Sequence, residues 1–313
     1  MIGAVLTAVF FGITPVAASR AIKLIGFVRE NVLRLLFAVI VLGAWAFAFG
    51  QGLRGESLLF ATAGAIGFGI GGMSLLIALP RLGAPLASLI EETVAAAVTA
   101  VVAFYWYADK LTGQQVALCG AILLGVVVGL VPFVRPTVRN FDRRAVLFGA
   151  GFALLAAVAQ GVSLAATRRG ILLMKAAHTQ PDTITIAFQR LAGGLAVAVV
   201  VYLVGRYVWQ RRWGFSGSDG TTRAILSGAG DGLTGRPLWW ASLNSLFGPI
   251  LGVTCTVWAQ QSLPAGQVQS VAAVAPLIAV PFAFWLEGHR PPRIWYLGAA
   301  ISIAALVALC LNS

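Results

Sequence analysis

Apolar runs of about 20 residues alternate with short polar stretches along the whole chain, and this pattern predicts ten membrane-spanning helices. A helix of this length crosses the hydrocarbon core of a bilayer while satisfying its own backbone hydrogen bonds. The first run lacks a basic leading segment and a small-residue cleavage site, so we interpret it as a permanent span. We therefore predict an all-α polytopic membrane protein with ten transmembrane helices, at Ile2–Ser19, Asn31–Phe49, Leu58–Leu79, Ala84–Phe104, Gln114–Phe133, Ala145–Thr167, Thr183–Tyr202, Trp239–Ala259, Ala265–Leu286 and Arg293–Leu311.

The composition agrees with this prediction, because 59% of the 313 residues are hydrophobic and only 10% are charged. Soluble domains carry roughly 25% charged residues. The net charge of +12 would indicate nucleic-acid binding in a soluble protein, but here the basic residues lie almost entirely between the apolar runs. We expect a lipid bilayer, that of a bacterial inner (plasma) membrane, and no nucleic-acid partner. Cys119, Cys255 and Cys310 lack the spacing of a metal site or a disulfide framework, so no cofactor or metal is expected.

Spans one to five correspond to spans six to ten. Arg34-Leu35 in the second span matches Arg190-Leu191 in the seventh, and Ala78 after the third span matches Ala259 after the eighth. Because each repeat has an odd number of spans, the two repeats must have opposite orientations, as in many secondary transporters. We predict two inverted five-helix repeats, at residues 1–135 and 143–313, the second with a hydrophilic loop at residues 206–237. A homodimer of such chains is left open.

The distribution of positive charge predicts an orientation in the membrane. Fifteen of the 22 lysine and arginine residues lie in connections that follow odd-numbered spans, and five lie in connections that follow even-numbered spans. Positively charged connections stay on the cytoplasmic side. The count therefore places both termini outside.

Two adjacent acids, Glu91 and Glu92, lie near the middle of the fourth span. An ionised side chain at that depth costs about 2.5–3.5 kcal/mol on insertion scales, so the default interpretation is functional. Neighbouring residues point about 100° apart on a helix, so only one acid faces a narrow cavity, and Glu91 is narrowly preferred. Ser88 and Thr99 extend a polar stripe between the acids.

The acids have two interpretations that do not exclude one another. One is proton coupling or recognition of a cationic group, and the other is pairing with a buried arginine such as Arg34 or Arg190. The positions equivalent to the acids in the second repeat are Ala272 and Ala273, which argues against a structural role common to both repeats.

Arg34 and Arg190 lie at matching positions within the second and seventh spans. They either line the cavity and bind carboxylates or reach to the membrane interface and fix the depth of the helix. The second interpretation is favoured because both residues lie near predicted span starts.

Other polar residues within the spans are equally consistent with cavity lining and with hydrogen bonds between helices. Prolines in the first, eighth and ninth spans predict kinks that serve either gating or static packing. The candidates for the substrate or proton pathway are Thr14 before Pro15, Gln160, Ser163 and Thr167 in the sixth span, Asn244 and Ser245 in the eighth, and Gln267, Gln269 and Ser270 in the ninth.

Short motifs over nearly the whole chain carry a resemblance to a known family. They resemble the EamA-type permeases of the drug/metabolite transporter superfamily, which implies ten spans in two repeats and transport of a small-molecule substrate. The motifs are Phe10-Phe11-Gly12, Leu33-Arg34-Leu35-Leu36-Phe37, Ala78-Leu79-Pro80-Arg81-Leu82-Gly83, Asp109-Lys110-Leu111-Thr112, Gly120-Ala121-Ile122-Leu123-Leu124-Gly125, Arg190, Ala275-Pro276-Leu277, Leu286-Glu287-Gly288 and Leu297-Gly298-Ala299-Ala300-Ile301.

The chain departs from the family pattern in two respects. The family usually has a proline late in the fourth span and a glutamate at its end, where this chain has Ala95 or a neighbour and Asp109. Family members generally keep both termini in the cytoplasm, which is opposite to the orientation that the charge count predicts.

These observations favour a secondary active transporter that exports small organic metabolites or drugs in exchange for protons by alternating access. The alternative is a translocator of lipids or polyprenyl carriers, in which Arg34 or Arg190 binds an anionic headgroup. An accessory protein without transport activity is a third possibility. An intramembrane enzyme is disfavoured because the two histidines, His178 and His289, both lie in predicted loops.

Overall fold

The computed structural model describes residues 1–140, 143–212, 236–287 and 292–311, and all regular secondary structure in these ranges is helical. Within these described ranges, nine helical stretches are long and apolar enough to cross a membrane, and Ala265–Pro281 is a shorter apolar one. The protein is therefore an all-α polytopic membrane protein, as predicted. We number its helices α1 (Ile2–Ile25), α2 (Phe27–Ala48), α3 (Ser57–Gly64, Ala65–Gly71 and Gly72–Leu82), α4 (Ala84–Tyr107), α5 (Gly113–Asn140), α6 (Arg143–Ala176), α7 (Thr183–Arg212), α8 (Arg236–Ser245, Leu246–Gly252 and Val253–Gln260), α9 (Ala265–Ala272 and Ala275–Glu287) and α10 (Arg293–Leu311).

Several helices extend beyond the predicted spans. Helix α2 begins at Phe27, one turn before the predicted start. Helix α6 continues to Ala176, so charged residues that the prediction assigned to a loop lie within this helix. Helix α7 reaches Arg212, so the predicted hydrophilic loop starts inside a helix, and residues 213–235 of that loop lie outside the described residues.

The contacts between helices follow the same pattern in both halves of the chain. Helix α4 packs on α6 as α9 packs on α1, and α3 packs on α6 and α7 as α8 packs on α1 and α2. The remaining large contacts, α2 on α7, α4 on α9 and α5 on α10, each join a helix to its own equivalent. A two-fold relation between two five-helix repeats produces this pattern, in which equivalent helices make equivalent contacts.

Helices α3 and α8 each contain a π-helical segment, at Ala65–Gly71 and Leu246–Gly252. The two segments lie 181 residues apart, which is also the offset between Ala78 and Ala259. Short π-helical turns inside α-helices are rare and frequently mark functional sites. Equivalent turns in both repeats therefore direct attention to the region that these turns border.

Glycines bring α3 and α7 into close contact. A Cβ atom on Gly64 would overlap the main-chain carbonyl of Arg190, and one on Gly193 would overlap the carbonyl of Ala61. Gly125 and Gly129 of α5 pack in the same way against Gly298 of α10. Helices in lipid associate through such small residues because there is no hydrophobic effect between them.

Hydrogen bonds join the connections at the end of the molecule where α2, α4, α6 and α8 terminate, which we call the terminal face. Gln51 Nε2 donates to the Gln180 carbonyl (2.7 Å), and Gln189 Nε2 donates to the carbonyls of Gly52 (2.8 Å) and Arg54 (3.0 Å). Gln261 Nε2 donates to the Pro181 carbonyl at 2.9 Å. These bonds tie the first repeat to the second at this face.

An acid and a cation extend the same network. Asp109 accepts a hydrogen bond from the backbone N–H of Ala265 (3.0 Å) and lies 3.8 Å from Nε of Arg168. Arg168 also donates to the Gln260 carbonyl. Asp109 thus connects the end of α4 to α6 and to the start of α9.

Candidate functional site

A buried polar cluster lies where α2 meets α8. Glu30, Asn31 and Asn244 are fully buried, and the amide of Asn244 donates a hydrogen bond to Glu30. Arg34 Nε donates to Asn31 Oδ1 (3.0 Å) and lies 3.9 Å from Glu30 Oε2. Ser245 Oγ donates to the main-chain carbonyl of Arg34 at 2.7 Å. Because α2 and α8 belong to different repeats, the cluster lies between the repeats.

Glu91 and Glu92 lie on α4 and are both partly exposed. Arg34 is the cation that interacts with Glu91, and Gln269 Nε2 of α9 donates to Glu92 Oε2 at 2.7 Å. The two acids therefore face different helices, as expected for neighbours on a helix. Gln269 is buried, so the hydrogen bond of Glu92 lies in the interior of the protein.

Helix α9 is interrupted where α4 carries the two acids. Its first segment ends at Ala272 and its second begins at Ala275, with the N–H of Val274 bonded to the Val271 carbonyl at 3.1 Å. Pro276 has no N–H, so it cannot donate to the carbonyl of Ala272. The equivalent helices of the two repeats thus differ in both charge and continuity at this depth.

The other predicted site residues fall into separate groups. Thr14 of α1 packs against Gly248 in the π-helical segment of α8, close to Asn244. Gln160 and Ser163 of α6 pack in the same way against Gly67 in the π-helical segment of α3. Thr14 therefore lies beside the π-helical segment of α8, and Gln160 and Ser163 lie beside the equivalent segment of α3.

Three further predicted residues are buried. Thr99 donates to the carbonyls of Ala95 (2.7 Å) and Gly161 (3.3 Å), so it joins α4 to α6 and does not reach the two acids. Ser88 and Gln267 are buried, and neither amide atom of Gln267 has a hydrogen-bond partner among the described residues.

Arg190 is only 1% exposed. Its Nη2 lies 3.2 Å from Ser163 Oγ, to which it donates, and its guanidinium lies 5.2 Å from the centre of the Phe68 ring. Within the described residues, Nε and Nη1 have no hydrogen-bond partner. The interpretation of Arg190 as a residue that reaches the membrane interface is therefore wrong, because its side chain ends inside the protein. Arg34 likewise bonds to interior residues.

Glu30 is a third interior acid that the sequence interpretation missed. The predicted second span began at Asn31, which left Arg29 and Glu30 in a polar connection. The spacing of Glu30, Asn31 and Arg34 could have revealed it, because residues at i, i+1 and i+4 share one side of a helix.

Comparison with known proteins shows which family has this architecture. The model of the EamA-like transporter family matches residues 1–131 and 147–311. The chain belongs to the EamA-like transporter family. One solved crystal structure superposes on it with a TM-score of 0.72, covering 100% of this chain and 98% of that chain at 15% sequence identity, which supports the fold alone. No curated protein matches the chain significantly.

Membership of this family makes the protein a membrane transporter of the drug/metabolite type. EamA-like proteins are transporters rather than enzymes. A transporter binds a small-molecule substrate and lies in a lipid bilayer, which agrees with the apolar outer surfaces of the helices.

Proposed function

We propose that this EamA-like protein is a proton-coupled exporter of small organic metabolites or drugs that works by alternating access. The observation that carries the proposal is the pair of partly exposed acids on α4, which α9 does not have. A duplicated scaffold supplies two halves that can rock against each other. Acids present in only one half supply a chemical function to that scaffold.

Glu91 is the preferred coupling residue because its charge acts on Arg34. Arg34 is also near Glu30, which is bonded to Asn244 of the second repeat. A change of charge at Glu91 is therefore transmitted to a contact between the repeats. In the proposed cycle, the Glu91 carboxyl group releases its proton to water when substrate binds and takes up a proton after substrate leaves.

The direction of access follows from the position of the closed face. Hydrogen bonds join the connections of the terminal face, whereas Glu91 lies seven residues, or about 10 Å at 1.5 Å per residue, from the start of α4 at the opposite face. We propose that this conformation admits substrate from the opposite face and releases protons to it, and that rocking of two inverted repeats opens the terminal face.

Transport in proteoliposomes tests the coupling role. A compound that raises the melting temperature of the purified protein, selected from amines, amino acids and lipids, serves as the transported molecule. We expect Glu91→Gln to abolish accumulation driven by a pH gradient while leaving exchange of labelled for unlabelled compound measurable. Glu92→Gln and the variant with both substitutions measure how much Glu92 contributes to gradient-driven accumulation.

Glu56→Gln is the matched control, because Glu56 is an exposed acid at the terminal face and makes no helix-capping hydrogen bond. It should transport like the wild type. Unchanged gradient-driven accumulation in both single variants and in the double variant would sink the proton-coupling proposal.

We also propose, from the distribution of lysine and arginine, that both termini lie outside the cell and that the opposite face is cytoplasmic. Reporter fusions at Ser313 and within residues 213–235 test this orientation. An alkaline phosphatase signal at Ser313 supports it, and a fluorescent protein signal at Ser313 reverses it to the usual orientation of the family.

A further inference from the structure

Arg190 is a buried cation with no anionic partner among the described residues. Among the acidic residues whose side chains the structure describes, none lies within 4.0 Å of its guanidinium, since the ion pairs there are Arg34 with Glu30 and Arg168 with Asp109. Ser163 and the Phe68 ring are its neighbours, and neither carries a charge. Burial of an unpaired charge is costly, so a protein that keeps one gains something from it.

The polar partners of Arg34 have no polar counterparts at the equivalent positions beside Arg190. The two arginines occupy equivalent positions, 156 residues apart. At the same offset, Glu30 and Asn31 correspond to Ile186 and Ala187. The carboxylate and amide that accompany Arg34 are thus replaced by apolar side chains beside Arg190.

The free nitrogens of Arg190 belong to a set of polar groups that reaches accessible space. Gln160 and Ser163 lie side by side over Gly67, and Gln160 is partly exposed, whereas Ser163 is fully buried. A molecule that contacts Gln160 is therefore separated from the Arg190 guanidinium by no more than the Ser163 side chain. The planar guanidinium matches carboxylate and phosphate groups through two parallel hydrogen bonds.

We propose that Arg190, Ser163 and Gln160 form an anion-binding subsite that takes a carboxylate or phosphate group of a ligand. This inference rests on the proposed transport function, since the ligand is the transported molecule or a lipid that modulates transport. N–H groups of the Arg190 guanidinium that have no partner among the described residues donate to the oxyanion, Ser163 holds the guanidinium through Nη2, and the Gln160 amide contributes a donor from the accessible side. The subsite lies apart from the α2 cluster, where Arg34 already has protein partners.

Thermal unfolding of the purified full-length protein tests the subsite without any transport measurement. Benzoate and benzamide are compared at equal concentration and constant ionic strength, because they differ in charge and little in shape. A second arm compares phosphatidylglycerol with phosphatidylcholine and so separates a lipid headgroup from a soluble anion. We expect benzoate or phosphatidylglycerol, but not the uncharged or zwitterionic counterpart, to raise the melting temperature.

The variants assign the response to Arg190. Arg190→Gln should raise the half-saturating concentration of the stabilising anion by about tenfold or more, the equivalent of one hydrogen bond to a charged group. Arg190→Lys keeps the positive charge but cannot make two parallel hydrogen bonds to one anion, so its stabilisation by the anion should be weaker than that of the wild type. Arg144→Gln removes an exposed arginine and should respond normally.

The stability of the unliganded variant is a second readout. Because Arg190→Gln removes an unpaired buried charge, its melting temperature without anion should equal or exceed that of the wild type, which a purely structural arginine would not allow. The proposal is overturned if neither anion stabilises the wild type, if Arg190→Gln keeps the full response, or if this variant is less stable without anion. Each of these outcomes leaves the test of Glu91 untouched, and failure of that test leaves this one intact.

Discussion

Single residues between the repeats combine burial with incomplete hydrogen bonding. Glu30 is fully buried, and Asn244 is the described residue whose side chain donates a hydrogen bond to it. A buried acceptor that loses its donor pays the desolvation penalty without compensation. The stability of the contact between α2 and α8 is therefore sensitive to this one bond.

Replacement of Asn244 by Ala should lower the free energy of unfolding by about 1–3 kcal/mol, because Glu30 is left buried without its donor. Titration with dodecyl sulfate, followed by tryptophan fluorescence, measures the change. Thr62→Ala, which removes an exposed hydroxyl bonded to the Leu59 carbonyl, should stay within about 0.5 kcal/mol of the wild type.

A double variant makes this prediction more specific. Replacing both Glu30 and Asn244 by leucine removes donor and acceptor together, which can be nearly neutral. If the loss of stability in this double variant equalled the sum of the losses in Glu30→Leu and Asn244→Leu, a direct bond between the two residues would be contradicted.

The sequence could identify the acids and arginines of the site but not their partners. Glu91, Glu92, Arg34 and Arg190 stand out because charge is costly in an apolar run. Whether each arginine meets an acid depends on residues far away in the chain, such as Asn244 beside Glu30. Without those contacts, the sequence gives Arg190 and Arg34 equivalent positions, whereas among the described residues Arg34 has an acidic partner and Arg190 has none.

Helices of this protein meet through backbone contacts at glycine as well as through side chains. Gly64 lies against the Arg190 carbonyl and Gly193 against the Ala61 carbonyl, so α3 and α7 approach from both sides. Backbone atoms cannot move aside as the end of a flexible side chain does, so a new methyl group here must separate the helices.

A Gly64→Ala substitution should therefore destabilise the protein by about 1–3 kcal/mol through overpacking. Gly120→Ala is the matched control, since a Cβ atom at Gly120 meets no other residue within 4 Å, and it should be neutral or slightly stabilising. The same dodecyl sulfate titration compares the two variants. Equal stability of both variants would show that the close approach of α3 and α7 is absent in the membrane.

Hydropathy predicted the cores of the helices well and their ends and interruptions poorly. Arg168 was assigned to a loop because it is charged, yet it lies inside α6 and is 8% exposed. The π-helical segment of α3 has an ordinary apolar sequence, so local pattern gives no sign of it, whereas Pro249 lies inside the segment of α8 and predicted a kink there. Both features depend on contacts with other helices, which hydropathy does not record.

At the scale of the whole molecule, the described residues show how the terminal face is closed. The terminal face is joined by bonds between connections that are distant in sequence, such as Gln51 with Gln180 and Asp109 with Ala265. The duplication was visible in the sequence, but the closed face was not, because repeats related by symmetry supply both faces with equivalent helices. The hydrogen bonds that join the terminal face connect loop residues that are not equivalent in the two repeats.

Asp109 is the residue at which opening of the terminal face can be tested, because its carboxylate joins α4 of the first repeat to α6 and α9 of the second. Asp109→Ala removes about 1.4 kcal/mol or more of bridging interaction, which corresponds to an approximately tenfold larger open population. A membrane-impermeant maleimide added on the terminal side should therefore label a Gln267→Cys probe about tenfold faster in this variant, in a background without the native cysteines. Glu56→Ala is the control, since Glu56 is an exposed acid at the same face whose side chain makes no helix-capping hydrogen bond. If the two variants were labelled at the same rate, the Asp109 bridge would not hold the terminal face closed.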